Sequence, residues 1–194
     1  MDAIKLLETQ HKEVKALLEK VVETSGQEGQ KLLQEITKNL LAHMVIEQEI
    51  FYPAAAKADL PDIEEGYEEH FVAREMINRA LQAKGDKPLF QARCKVLKEL
   101  IEHHVKEEES ELFATIKKSL GRDELEQLGA EMEPAFKQLK AMALPALARR
   151  ADRVEVLSDT KKKNAVASRP RKPAAKRAAP ATRGGAKKKA RRAS

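Results

Sequence analysis

HMVIEQEIFYP, residues 43–53, and HHVKEEESELF, residues 103–113, carry the same signature: a histidine, a glutamate four residues later, and a bulky apolar pair beyond it. A four-residue step puts both side chains on one face of a helix, one turn apart. Counting from His43, the flanking positions on that face are Ile36, Leu40, Ile50 and Phe51; counting from His104, they are Leu97, Ile101, Leu112 and Ile116. His43 with Glu47, and His104 with Glu108, therefore lie inside apolar stripes. A glutamate there is costly unless it is paired or binds a cation. His103 and Glu107 have the same spacing, but Ser110 and Glu111 follow at the corresponding positions, so His103 is expected at the surface or in a supporting role.

Working outward, every segment of the first 150 residues reads as helix. Ile4, Leu7, His11, Val14, Leu18 and Val21 form one stripe behind an Asp2 cap. Ser25, Gly26 and Gly29 mark a turn before the helix of His43, and Pro53 should kink or end that helix. Leu60, Pro61 and Asp62 read as a connection, and Ile63, Tyr67, His70, Ile77 and Leu81 as a third stripe. Lys84–Pro88 reads as a second tight connection, and Gly121 as the stop of the helix of His104. A fifth segment has Leu125, Leu128, Met132, Phe136 and Leu139 in register and is interrupted by Pro134 and Pro145. The expected fold is all-α: an up-down-up-down antiparallel four-helix bundle with an additional C-terminal helix and a disordered tail. The expected division is 1–150 for the bundle, 151–160 for a linker and 161–194 for the tail.

The chain has five histidines, and four of them, His11, His43, His70 and His104, fall one to each core stripe. A single histidine on such a stripe is usually a hydrogen-bonded core residue; one from each of four helices is a different matter. His11 lies 13 residues before Thr24 and His43 14 after Gly29, while His70 lies 15 before Gly85 and His104 16 after Pro88. Within each hairpin the imidazoles should share one depth. Imidazole with carboxylate suits iron, manganese or zinc. No Gly-rich phosphate loop or HExxH is present, a ferritin-type pair of Glu-x-x-His motifs is missing, and no catalytic residue is assigned. The one cysteine, Cys94, excludes an internal disulfide and suits a reducing cytoplasm. Neither a signal peptide nor a membrane span is expected.

Charge divides the chain. Residues 161–194 hold Lys161, Lys162, Lys163, Arg169, Arg171, Lys172, Lys176, Arg177, Arg183, Lys187, Lys188, Lys189, Arg191 and Arg192, and no acidic residue. Taking these 14 from the 37 basic residues leaves 23 against 31 acidic ones in the body, a net charge of −8. A basic, Ala- and Pro-rich segment cannot bury a core and is expected to be disordered. It points to a polyanion, DNA or RNA, bound through phosphates without sequence preference, with anionic lipid or simple solubilisation as the other readings.

The stretches LETQHKEVKALLE around His11, HMVIEQEIFYP from His43, YEEHFVAREMI around His70 and HHVKEEESELF around His104 together resemble the hemerythrin-like, or HHE cation-binding, family over roughly residues 3–145. The segment LGRDELEQLGAEME resembles that family's C-terminal extension, and the tail resembles those of histone H1-like proteins. The resemblance implies two iron ions, oxo- or hydroxo-bridged, held by His11, His43, Glu47, His70, His104 and Glu108, with the glutamates bridging. It also implies a departure from the oxygen carriers, whose third helix supplies two histidines four apart. Here the position four after His70 is Arg74 and the one four before it is Gly66. Facing inward, Arg74 would neighbour the less protected iron and attract an anionic ligand such as peroxide or azide; the expectation preferred is that it snorkels to the surface.

Three functions follow as expectations. The first is a sensor or scavenger of iron, oxygen, nitric oxide or peroxide, tethered to nucleic acid by its tail and so cytoplasmic at the nucleoid. The second is a nucleoid-associated protein whose bundle is structural. The third is a di-iron oxidase or peroxidase.

Overall fold

The computed structural model describes residues 1–57 and 63–153. The Leu60–Asp62 connection, most of the 151–160 linker and the basic tail lie outside them. The described residues are helical throughout, without strands. Helix α1 (Ala3–Glu23) begins at Asp2, whose carboxylate accepts the Lys5 amide at 2.9 Å. Helix α2 (Gly26–Ile46) runs into a π-helical turn (Glu47–Phe51) and then α3 (Tyr52–Lys57). Helix α4 (Ile63–Leu81) is followed by α5 (Lys87–Glu107), a second π turn (Glu108–Leu112) and α6 (Phe113–Ser119). Helix α7 (Arg122–Ala141) closes the series, and residues 144–153 are helical again.

Helix α1 packs on α2 and α5, and α4 packs on α5 and α2. Chain neighbours are thus spatial neighbours and the ring closes, which is the up-down-up-down bundle. Helix α7 lies across α1 and α2. It approaches the chain start so closely at Gly129 that a Cβ there would meet the Met1 carbonyl oxygen. The core is two apolar halves. One gathers Leu18, Leu33, Ile36, Ile77 and Leu97; the other gathers Ile4, Leu7, Phe51, Tyr52, Phe113 and Met132. Between them lies a buried polar layer containing His11, His43, Glu47, His70, His104 and Glu108.

Four local expectations need correction. Gly29 is in the first turn of α2, not in the connection, and packs against Phe90; Gly26, at φ 66°, makes the turn. Pro53 does not end its helix. In the widened turn a bond from residue 53 would reach the Gln48 carbonyl; Pro53 has no N–H, and that carbonyl instead accepts from the Tyr67 hydroxyl at 3.3 Å. The helix does end just before Gly121, but Gly121 is not left-handed (φ −68°) and serves as the cap of α7, its amide donating to Glu124 Oε2 at 2.9 Å. Pro134 sits inside α7 without interrupting it, because Met132 and Phe136 on either side are held in the core.

Candidate metal centre

Each helix of the ring delivers one imidazole to the polar layer. Within the hairpins the depth match is close: His11 Nε2 lies 3.1 Å from His43 Nε2, and His70 Nε2 lies 3.2 Å from His104 Nε2. The carboxylates sit between the pairs. Glu47 Oε1 is 3.1 Å from His43 Nε2 and its Oε2 is 3.3 Å from His70 Nε2, so one carboxylate touches both hairpins. Glu108 Oε2 lies 3.4 Å from His11 Nε2 and 3.6 Å from His104 Nε2, again one from each hairpin. Ligand atoms within 4.8 Å of one another form two sets, His11, His43, Glu47 and Glu108, and Glu47, His70 and His104, which share Glu47. All six residues singled out in the sequence meet at one level.

The register of α5 is as expected. The His104 side chain is 5% exposed and that of His103 is 62% exposed. The π turns were not anticipated. Each begins at the glutamate of a His-x-x-x-Glu pair. The extra residue of a π turn moves the inward position from four residues after Glu108, Leu112, to five, Phe113. Phe113 is buried, Leu112 only partly so. Phe113 then stacks on His11 at 5.9 Å between ring centroids, with an interplanar angle of 4°, and Tyr52 stacks on His70 at 5.7 Å.

Supporting groups orient the rings through their outer nitrogens. His43 Nδ1–H donates to Gln10 Oε1 at 2.7 Å, His11 Nδ1–H to Glu109 Oε1 at 2.9 Å and His104 Nδ1–H to Glu69 Oε2 at 2.7 Å. These contacts hold each Nε2 toward the centre, as outer partners of metal-binding imidazoles do. Tyr52 donates to Glu108 Oε1 at 2.8 Å. Gly66 makes room for that hydroxyl, since a Cβ there would stand 2.9 Å from it. Gln10, Tyr52, Glu69 and Glu109 were missed by sequence reasoning, because they act across helices and no spacing along one helix reveals them.

The site suits cations. Both Glu47 oxygens and Glu108 Oε2 are buried with no hydrogen-bonding partner. Burial and the neighbouring Glu108 raise the Glu47 carboxyl well above the usual range. Burial opposes ionisation of Glu108 too, but His104 and His11 outweigh it and hold that carboxyl low. Burial and neighbouring imidazoles, His11 for His43 and His104 for His70, push both histidines well down, keeping them neutral as metal ligands must be. Buried orphan carboxylate oxygens facing four Nε2 atoms fit a metal and make little sense otherwise.

Arg74 does not snorkel. It is buried, and its guanidinium donates to the Ala151 carbonyl at 3.3 Å. Helical residues 144–153 supply that acceptor and cover the position.

Fold and site define a helical bundle with an interior imidazole–carboxylate set suited to metal. The chain belongs to the hemerythrin HHE cation-binding domain family, which matches residues 2–116. It is similar to the crystal structure of a hemerythrin HHE cation-binding domain-containing protein of Mycobacterium kansasii, at a TM-score of 0.69 and 25% identity, covering 77% of this chain and 99% of that one. It is 27% identical over 132 residues to a DNA nickase of Nostoc sp. (strain PCC 7120), covering 67% of this chain and 38% of that protein. No helix among the described residues is long and apolar enough to cross a membrane.

Proposed function

We propose that this chain is a non-haem di-iron protein that senses or scavenges iron, oxygen, nitric oxide or peroxide, and that its basic tail holds it on nucleic acid. The observation that carries the first half is Glu47, a fully buried carboxylate with one oxygen toward each of two histidine sets. Six donors are too many for one tetrahedral ion and suit two ions of higher coordination. His11, His43 and Glu108 would serve one ion and His70 and His104 the other, with Glu47 common to both.

When bound, an iron pair supplies reversible change of oxidation state and an open position for a small ligand. The chain's own residues do the rest. Phe51, Phe113 and Tyr52 wall the layer from water. Gln10, Glu69 and Glu109 fix the tautomers of His43, His104 and His11, and Tyr52 keeps its own proton while donating a hydrogen bond to Glu108 Oε1. Helix α4 offers His70 alone, with Arg74 engaged elsewhere, so six donors face two ions. One ion should be the less enclosed, which favours oxidation over reversible oxygen storage.

The second half rests on the contrast between a tail of 14 positive charges and a body of net charge −8. Its polyanion is taken to be DNA, where iron or peroxide scavenging would protect the chromosome; the name of the Nostoc relative is in keeping with that address. Anaerobic purification followed by metal analysis and an optical spectrum before and after air tests the centre. About two irons per chain and near-ultraviolet charge-transfer absorption are expected; stoichiometric zinc with no iron uptake would refute it.

A further inference from the structure

A cavity of about 180 Å³ opens beside the polar layer, between α4 and the second π turn. Its lining includes Glu65, Glu69, Glu107, Glu111, Glu108 and Tyr52, and no lysine or arginine. It therefore runs from exposed carboxylates to Glu108, a side chain 4% exposed whose Oε2 has no hydrogen-bonding partner. Glu69 and Glu107 are shared with a second feature. His103 Nε2 lies 3.2 Å from Glu107 Oε1 and 3.8 Å from Glu69 Oε1, and these three residues form a metal-competent set of their own, separate from the two interior ones. Glu69 faces both ways: Oε1 toward His103, and Oε2 receiving the Nδ1–H of His104.

We infer that this cavity is the loading route for divalent metal, and that Glu69, His103 and Glu107 form an external station where ferrous ion rests before passing to Glu108 and the interior. The inference rests on the interior layer being a metal centre. One imidazole with two carboxylates is an apt set for a ferrous ion that arrives hydrated and gives up water in stages. Four carboxylates around the opening and Glu108 at its inner end, with no compensating cation in the lining, concentrate cations and repel anions. A buried layer sealed by Phe51, Tyr52 and Phe113 needs such an entrance, and Glu108, which lines the cavity, is the interior residue an entering ion meets first.

The test is anaerobic stopped-flow loading of metal-free full-length protein with ferrous ion alone, with final stoichiometry read by metal analysis and folding by circular dichroism. The double variant Glu65→Lys/Glu111→Lys should load about tenfold or more slowly and reach the same iron content. His103→Ala/Glu107→Gln should also load slowly to the same endpoint, and raising salt should slow the wild type but leave the charge-reversed variant nearly unaffected. Glu28→Gln, at the far end of α2, should load at the wild-type rate. Iron-filled wild type should bind one additional manganese(II) ion, visible by electron paramagnetic resonance and lost in His103→Ala/Glu107→Gln. Unchanged loading in the charge-reversed variant would overturn the route. Undiminished extra manganese in His103→Ala/Glu107→Gln would overturn the station. A fall in final iron content in that variant would place the trio in the centre itself and likewise overturn it. Failure of the wild type to take up iron at any rate would overturn the centre, and the route with it.

Discussion

Glu47 is held where no carboxylate rests comfortably without a cation, fully buried and with neither oxygen hydrogen-bonded. Function and stability should therefore separate there. Glu47→Leu should abolish iron retention yet make the metal-free protein more stable, by roughly 1–3 kcal/mol, the usual cost of an unsatisfied buried polar group. Metal analysis and urea unfolding of the metal-free proteins check both signs, and a destabilised variant would contradict the reading. His104→Ala should lose metal while His103→Ala retains it, since one ring faces Glu108 and the other faces solvent. Glu69→Gln should weaken iron binding by about 10–100-fold through loss of the carboxylate acceptor for His104 Nδ1, measured by competition with a chelator. Cys94 gives a pH test. Burial pushes its thiol up to about 11. Its folded value lies above the unfolded one, so its contribution to stability is complete below about pH 8.5 and is lost as pH rises toward 11. At pH 8 the native protein should resist thiol alkylation and react promptly in urea. At this scale the sequence was informative about which polar residues meet in the interior, since a polar residue on an apolar stripe betrays itself. It was silent about Gln10, Glu109 and the destination of Arg74, whose partners come from other helices or from residues 144–153.

Helices carry the site through the two π turns. Helical periodicity assumes a uniform 3.6 residues per turn, which is why the stripes were legible up to Glu47 and Glu108 and only partly right beyond them: Phe51 and Ile116 are buried as expected, Ile50 and Leu112 only partly. Leu112 was expected inward on that basis, and Phe113 is found there instead, edge-on to Phe51 at 5.8 Å and stacked on His11. Deleting the exposed Ser110 should remove the extra residue, regularise the helix and turn Phe113 away from His11. Iron retention should fall and thermal stability should drop. Phe113→Ala should cost about 3–5 kcal/mol, the range for a buried aromatic side chain, against almost nothing for Leu112→Gln. Unfolding by urea measures the difference. Prolines misled for a related reason. Pro53 was read as a kink or an end and Pro134 as an interruption, but a helix survives a missing donor where a hydroxyl satisfies the freed carbonyl or where flanking core residues hold it in place.

Across the whole molecule, charge organises what packing does not. An acidic bundle joined to a basic segment should bind duplex DNA through the segment alone. If about six of its charges meet phosphates, log K should fall with log salt at a slope of about −5. Gel shifts with random-sequence DNA should show binding by the full chain at low salt and none by residues 1–160. Equal binding by both, or indifference to salt, would move the contact to the bundle. The bundle itself was legible because each hairpin brings its histidines to one depth, and the α2–α4 match, hardest to count across Pro53, is made in space by Glu47 touching both His43 and His70.

The most direct measurement is iron content per chain in protein purified and kept without oxygen, with the optical spectrum followed on admitting air. About two irons per chain, with near-ultraviolet charge-transfer bands growing within minutes and no dissociable oxygen adduct, is the predicted result. A single metal per chain, zinc in place of iron, or a stable reversible oxygen complex would contradict a six-donor di-iron centre built on Glu47 and Glu108.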